Sequence, residues 1–331
     1  MRLEVRRRIF VLTGGVLLAL AVVAYVTRTK PLADYDAGLL KRPDSVGPCD
    51  GCHPERGELL LASAQTLDRL DPATGEAMRF KEYRSPYQVG DPAFIARDSI
   101  LIEGCGVVDG CAIRLLNPIT GTDTILVDGV YNPAVDTVTR TLYFFAGRSR
   151  QRTGLFTARL DDPAQRSQIA QLLFDDAVPP HLAFDKDLTP VVLPNGSGIM
   201  YVGAGDSLTR YDVQSKRSRA LPIVDCIPVL VRTRTGELLC ADYPRGLWYL
   251  LALDHGTRTP LPGATNAYSA AYDQHADVLY LGVGGGFIAE RTDVYRLPLG
   301  AHGPRKRVAK GVYFTSGAWI PAGSLGVSAK R

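Results

Sequence analysis

The sequence predicts an all-β chain closed into a six-bladed β-propeller, and three observations carry that expectation. An apolar strand ends repeatedly in one turn phrase: Leu70-Asp71-Pro72-Ala73-Thr74-Gly75, Leu116-Asn117-Pro118-Ile119-Thr120-Gly121, Leu160-Asp161-Asp162-Pro163, Tyr211-Asp212-Val213-Gln214-Ser215, Leu253-Asp254-His255-Gly256-Thr257 and, degraded, Leu297-Pro298-Leu299-Gly300. The phrase recurs every forty to fifty residues or so, with room for about four short strands per unit, which is the spacing of blades that bury their faces only against neighbours. From Gly57 onward no sustained 3.6-residue apolar period occurs, while 33 glycines and 22 prolines supply turns.

Each unit reads as strands A to D from axis to rim. The second strands are Leu59-Leu60-Leu61, Ile100-Leu101-Ile102, Leu142-Tyr143-Phe144-Phe145, Met200-Tyr201-Val202, Leu238-Leu239-Cys240 and Leu279-Tyr280-Leu281, mostly apolar as strands sandwiched between blades must be. The first unit has no strand A of its own. Tyr313-Phe314-Thr315-Ser316-Gly317-Ala318-Trp319 matches the strand-A phrases Tyr131-Asn132-Pro133-Ala134-Val135 and Tyr268-Ser269-Ala270-Ala271-Tyr272, so the C-terminus supplies the missing strand and removes the open edges.

Ahead of the propeller, Ile9 to Val26 run without charge behind Arg2, Arg6, Arg7 and Arg8, which predicts export with the N-terminus held in the cytoplasm. The run of 18 residues is short for a membrane span and long for a cleaved signal, so residues 1–26 read as a signal anchor, with a signal peptide cut near Val22-Val23-Ala24 as the alternative. Residues 27–56 form a polar tether with Pro31, Pro43 and Pro48; 57–323 form the propeller and 324–331 a tail. The expected location is the periplasmic or extracellular side of a membrane, held there by the N-terminal transmembrane helix.

A net charge of +4, with Lys and Arg spread over the blades, excludes a nucleic-acid footprint. Arg69, Arg159, Arg210 and Arg296 read as outward-facing alternates, and Arg305-Lys306-Arg307 with Lys310 as a solvated outer strand. Six cysteines suit disulfides in an exported chain. Cys105 and Cys111 flank a five-residue hairpin loop and should be bridged. Cys226 and Cys240 lie on adjoining strands, but a tight turn at Arg234-Thr235 would set Cys240 against Val229, so their bridge requires a bulge or a longer turn.

Cys49-Asp50-Gly51-Cys52-His53 is C-x-x-C-H, the attachment pattern of a c-type haem, with the thiols on the vinyl groups and His53 as axial ligand. The tether is too short for the usual helical wrapping of a haem. A Cys49–Cys52 disulfide pinning the tether, with His53 incidental, is therefore the competing reading. A zinc site fits least, since no second C-x-x-C or His pair follows. No G-x-S-x-G, H-E-x-x-H or phosphate loop occurs, Gly282-Val283-Gly284-Gly285-Gly286 links two strands, and Asn195-Gly196 reads as a hairpin turn.

Taken over Gly57 to about Gly323, the pattern resembles the broad six-bladed propeller superfamily that includes TolB-like and lactonase-like proteins. The resemblance implies that the D-to-A and B-to-C links open on one face, as a funnel. Tyr83, Tyr87, Tyr131, Tyr268 and Tyr313 recur in those links, with Tyr131, Tyr268 and Tyr313 expected at matching positions within reach of one ligand. Asp91, Asn132, His181, Asp225 and Asn266 lie near the axial start of strand A in different blades. A lactonase-like calcium site would use such oxygens, although capping of loop donors explains Asp and Asn there, no acidic partner is in register in every blade, and the glutamate of that family's site has no clear counterpart in the chain. The tether enters at the start of a B strand, so the funnel points away from the membrane. The leading expectation is a binding or scaffold module for a protein, peptide or glycan, without catalysis or cofactor. The alternatives are a redox protein with one c-type haem and a metal-dependent lactonase-like hydrolase.

Overall fold

The structure is a computed structural model that describes residues 57–322 and 324 apart from 64, 84–87, 107–109, 119, 149–150, 172–188, 204–206, 224, 243–245, 285–290 and 301–303. Residues 1–56, with the apolar N-terminal run, the tether and the C-x-x-C-H motif, lie outside the described residues. Among the described residues no helix is long and apolar enough to cross a membrane.

The described strands form six antiparallel sheets of four. The first blade contains β1 (Glu58–Ser63), β2 (Thr66–Leu70) and β3 (Ala77–Glu82), and the second β4 (Gln88–Ala96), β5 (Ser99–Gly106), β6 (Gly110–Leu116) and β7 (Asp123–Asp128). The third consists of β8 (Val130–Asp136), β9 (Thr141–Arg148), β10 (Gln151–Arg159) and β11 (Asp162–Gln171). In the fourth are β12 (Val191–Val192), β13 (Gly198–Val202), β14 (Leu208–Asp212) and β15 (Arg217–Ala220), and in the fifth β16 (Ile227–Val231), β17 (Leu238–Asp242), β18 (Leu247–Leu251) and β19 (Arg258–Pro260). The sixth has β20 (Ala267–Asp273), β21 (Val278–Val283), β22 (Thr292–Pro298) and β23 (Lys306–Val312). β24 (Ser316–Ile320) then pairs with β1, Leu59 opposite Trp319 and Leu61 opposite Gly317, so the C-terminus closes the ring as the strand-A phrase predicts.

Why the central stretches of the B strands are apolar on both faces is visible at the seams. Leu59 and Leu61 pack toward the sixth blade with Val278, Tyr280 and Phe314, while Leu60 and Ala62 point the other way, toward Val89, Ile100 and Ile102 of the second. Side chains alternate along a strand, so a strand covered on both faces must be apolar at odd and even positions alike. The same division holds at every seam and gives six core clusters, one between each pair of adjacent blades. Outer strands such as β15 and β19 are exposed throughout.

The recurring turn phrase has a mechanical reason. In Leu70-Asp71-Pro72-Ala73-Thr74-Gly75 the Asp71 carboxylate accepts the Ala73 N–H at 2.7 Å, and the Gly75 N–H returns to the Asp71 carbonyl at 2.8 Å. Gly75 adopts φ +77°, which a side chain would disfavour. At Asn117 the side-chain oxygen accepts the Thr120 N–H instead, while the Gly121 N–H again returns to the carbonyl of the turn's first residue, with φ +73° at Gly121.

Arg69 departs from its expected place. Its guanidinium is buried and bonds Glu58, itself 1% exposed, through Nε at 2.6 Å, because Glu58 opens strand B on the same seam and a buried carboxylate requires a cationic partner. The basic run at the sixth blade does form an exposed outer strand. Just ahead of that strand Arg305 is drawn inward, donating to the Gly263 and Thr265 carbonyls.

Candidate functional site

Both disulfides among the described residues lie at the end of the ring where D-to-A and B-to-C links emerge. Cys105 and Cys111 face each other across β5 and β6 and are bonded, as their flanking of one hairpin loop predicts. Cys226 and Cys240 are bonded too. The bulge that their pairing requires is present between Pro228 and Leu230, where the register slips and Pro228, not Val229, meets Cys240.

The inner strands place a second set of groups at this end. Counted from the A-to-B turns, Leu60, Leu101, Tyr143, Met200, Leu239 and Tyr280 occupy equivalent rungs, opposite Ala318, Ala93, Ala134, Val191, Leu230 and Ala271. Two residues upstream of these partners stand Ser316, Asp91, Asn132, Thr189, Pro228 and Ser269. Five of the six blades thus present an oxygen-bearing side chain at one level of the innermost strand. In three successive blades that residue precedes a proline, Pro92, Pro133 or Pro190. Asp91 and Asn132 occupy strand bulges with φ of +44° and +48°, values that Asp and Asn tolerate better than most residues.

Hydrogen bonds join these groups across blades. The Asp91 N–H donates to Ser316 Oγ at 2.9 Å, and the Asn132 N–H to Glu103 Oε2 at 3.1 Å. The Asn132 side-chain amide donates to Thr189 Oγ1 at 3.3 Å, and the Thr189 hydroxyl to Asp91 Oδ2 at 3.3 Å. That last contact joins the second blade to the fourth, past the third, which places the cluster on the channel axis. Ser269 donates to the Phe314 carbonyl at 2.9 Å.

A glutamate of strand B stands beside this cluster. Glu103 is 8% exposed and sits on the rung that holds Ala62, Phe145, Val202, Ala241 and Gly282 in the other blades. Cys105 and Cys111 approach its carboxylate, but their sulfurs are spent in the disulfide and cannot act as thiolate ligands. Carboxylate, amide and hydroxyl oxygens are the donor chemistry of a hard cation or of a hydrogen-bond donor, and no described side chain of the cluster is a histidine or lysine.

The remaining predicted positions separate. Asp225 and Asn266, each with φ +61°, lie in the D-to-A links rather than on the axial level; the Asp225 carbonyl accepts the Tyr249 hydroxyl at 2.9 Å. Burial pushes the Tyr249 phenol up to about 12. Tyr131 lies inside β8, 6% exposed and opposite Phe145. The equivalent rung of the sixth blade holds Ser269 opposite Gly282, and Tyr268 is the extra residue of a bulge, so the two tyrosines do not match in register. Tyr313, partly exposed between β23 and β24, carries the Arg291 guanidinium 5.9 Å above its ring. Tyr83 does the same for the Lys81 ammonium at 5.1 Å. Tyr87, His181 and the Cys49, Cys52, His53 motif lie outside the described residues. Sequence reasoning missed Glu103, Thr189 and Ser316, although the repeated X-Pro step and a lone acid in an apolar strand marked the first two.

No protein-family model matches this chain, and no curated protein does. Its likeness is to solved structures. TolB from Acinetobacter baumannii superposes with a TM-score of 0.61 at 14% identity, over 80% of this chain and 66% of that one. A nidogen/laminin complex gives 0.60 at 14% identity over 80% and 99%. A putative TolB from Agrobacterium tumefaciens gives 0.56 at 10% identity over 79% and 92%. At such identities the likeness is one of fold.

Proposed function

We propose that this chain is an exported, membrane-held propeller whose funnel face binds a protein, peptide or glycan partner and performs no chemistry itself. The observation that carries this reading is the Thr189–Asp91 contact between blades two apart, because it gathers polar groups of several blades at one point on the axis. Two disulfides at the same end support an oxidising compartment and stiffen the rim. Strand β1 starts at the opposite end, so a membrane-held N-terminus leaves the funnel facing away from the bilayer.

Photo-crosslinkers placed at Tyr268 and Tyr313 in the native cell envelope test this. A common partner should be captured from both, and not from Val138, which is 79% exposed on the opposite face. Equal capture from Val138 would exclude the funnel as the binding face.

The oxygen-only donor set of Asp91, Glu103 and Asn132 supports one second reading, a metal-dependent lactonase-like hydrolase. It requires calcium-dependent lactone hydrolysis by the purified protein that Asp91→Ala abolishes. An inactive wild-type protein across a lactone panel, with and without calcium, removes it.

A further inference from the structure

We propose that Glu103, Cys105 and Cys111 form a redox-gated zinc site, closed while the two cysteines are bridged and able to hold one zinc ion once they are reduced. The site goes beyond the binding reading above and does not depend on it.

Among the described residues this is the one group of three metal-ligating side chains that converges: a carboxylate oxygen of Glu103 and the two sulfurs all lie within 4.8 Å of one another. Cys105 Sγ is 3.3 Å from Glu103 Oε1, and the other carboxylate oxygen accepts the Asn132 N–H at 3.1 Å. That bond holds the carboxylate with one oxygen turned to the sulfurs, as outer partners do for metal ligands. Tetrahedral zinc takes thiolates at about 2.3 Å and carboxylate oxygens at about 2.0–2.2 Å, which sets neighbouring ligand atoms about 3.5–3.8 Å apart. The sulfur–oxygen spacing is close to that value, so only the sulfurs must part. Cys105 and Cys111 are directly opposed on β5 and β6. Cβ atoms of such pairs stand about 4.5–5.5 Å apart, so side-chain rotation suffices once the bond between the sulfurs is broken. Cys105 is partly exposed, which leaves room for water in the fourth position.

A purely structural staple explains the three residues less well. The hairpin is paired from Ile100 and Leu116 to Gly106 and Gly110, so the bridge closes a loop that the ladder closes anyway. The fold does not require the carboxylate either, since the other five blades place Ala62, Phe145, Val202, Ala241 and Gly282 on its rung. Two thiolates and a carboxylate are a donor set for zinc, whereas calcium and magnesium select oxygen alone.

The gate is thiol–disulfide exchange with a dithiol, the chemistry of a disulfide oxidoreductase. One thiolate of the donor attacks a sulfur of the bridge, its second thiol resolves the mixed disulfide, and the donor leaves as its own disulfide while Cys105 and Cys111 each end as a thiol. Zinc then displaces the two protons. Accessibility selects this bridge, because Cys226 and Cys240 are 3% and 0% exposed.

The full-length chain carrying Cys49→Ser and Cys52→Ser, so that the tether motif cannot take metal, should be reduced mildly with a phosphine, freed of reductant and titrated with cobalt(II) and zinc(II) under nitrogen. Mass spectrometry of alkylated peptides should find Cys105 and Cys111 reduced before Cys226 and Cys240. One cobalt ion should then bind with thiolate charge-transfer absorption, and zinc should displace it; the unreduced chain should show neither. Replacing both Cys105 and Cys111 by Ser should abolish the absorption, and Glu103→Gln should weaken zinc about tenfold or more. If Glu103→Gln does not fold, alkylation of the reduced parent chain decides, since bound zinc should slow the reaction of Cys105 and Cys111 about tenfold. Circular dichroism checks that the reduced chain stays folded. An unfolded reduced chain, earlier opening of Cys226–Cys240, cobalt without thiolate absorption, unprotected thiols or an unchanged affinity in folded Glu103→Gln would each overturn the proposal.

Discussion

Arg232 of the fifth blade clamps Asp277 of the sixth, donating from Nε to Oδ1 at 3.0 Å and from Nη2 to Oδ2 at 2.6 Å. Both belong to A-to-B turns, so the fork ties adjacent blades at the end of the ring opposite the funnel. The Tyr272 hydroxyl adds a bond to Asp277 at 2.9 Å, and Arg232 also reaches Glu237 at 3.1 Å.

Removing either partner leaves the other's charge in a partly desolvated seam. Asp277→Asn should destabilise the propeller by about 2 kcal/mol near neutral pH. The bond from Arg232 holds the Asp277 carboxyl below its ordinary value of 3.8. A carboxyl with a depressed folded-state value contributes stability that is complete above the unfolded value and is lost as pH falls through the folded one. Urea unfolding of wild type and Asp277→Asn from about pH 7 to about pH 2 should show the gap close at the acid end. A gap that stays constant refutes the assignment.

Closure by β24 makes the C-terminus indispensable. Trp319 stacks on Tyr280 of the sixth blade with ring centres 5.4 Å apart, so it joins the last strand to the seam beside it. Deleting residues 316–331 should open an unpaired edge on β1 and give aggregated protein. Deleting only residues 325–331 should leave the melting temperature unchanged. A soluble, cooperatively melting long truncation would show that the ring closes without β24.

The two disulfides should differ in worth. Loop-closure entropy predicts about 3 kcal/mol for Cys226–Cys240, separated by 14 residues, and about 2 kcal/mol for Cys105–Cys111, separated by 6. Mass spectrometry of an unreduced digest verifies both bridges. Denaturant midpoints of the paired Ala variants then rank them, and the opposite order would mean that native-state packing at the bulge outweighs the loop term.

These cysteines also mark the limit of what the sequence discloses. The turn phrases and strand-B runs were legible because each reports a local requirement: Gly75 its positive φ, Asp71 its turn bond, Leu59 to Leu61 burial on both faces. Bulges report nothing so direct. The slip at Pro228 turns a mismatched Cys226–Cys240 pair into a bonded one, and the extra residue at Tyr268 breaks its correspondence with Tyr131. For Glu103 the local signal was only that of a lone acid in an apolar strand, whereas the bond it accepts comes from Asn132 of the facing blade, 29 residues away, a pairing that no local pattern encodes.

Alkaline pH should loosen the ring. Burial, reinforced by Asp136 and Tyr211, pushes the Tyr143 phenol up to about 12, and burial does the same for Tyr249. A group whose folded value exceeds its unfolded value of 10.0 keeps its proton longer when folded. Its contribution is therefore complete below the unfolded value and lost as pH rises from there through the folded one. Stability measured across that range should fall, and Tyr143→Phe should make the fall shallower. An identical slope in that variant would show that Tyr143 ionises as freely in the folded protein as in the unfolded chain.

The funnel tyrosines should divide by burial. Tyr131, 6% exposed and opposite Phe145, belongs to the wall, and Tyr131→Ala should cost about 3 kcal/mol of stability through the cavity it leaves. Tyr313 is partly exposed between strands and faces Arg291, so its truncation should leave melting nearly intact. If the funnel binds a partner, Tyr313→Ala should weaken that partner by about 2 kcal/mol, roughly thirtyfold, as aromatic anchors at the centre of an interface do. The partner captured by crosslinking provides the ligand for comparing affinity and melting temperature in both variants. Should Tyr313→Ala lower the melting temperature and spare the affinity, the tyrosine plugs the channel and the anchor lies elsewhere on the rim.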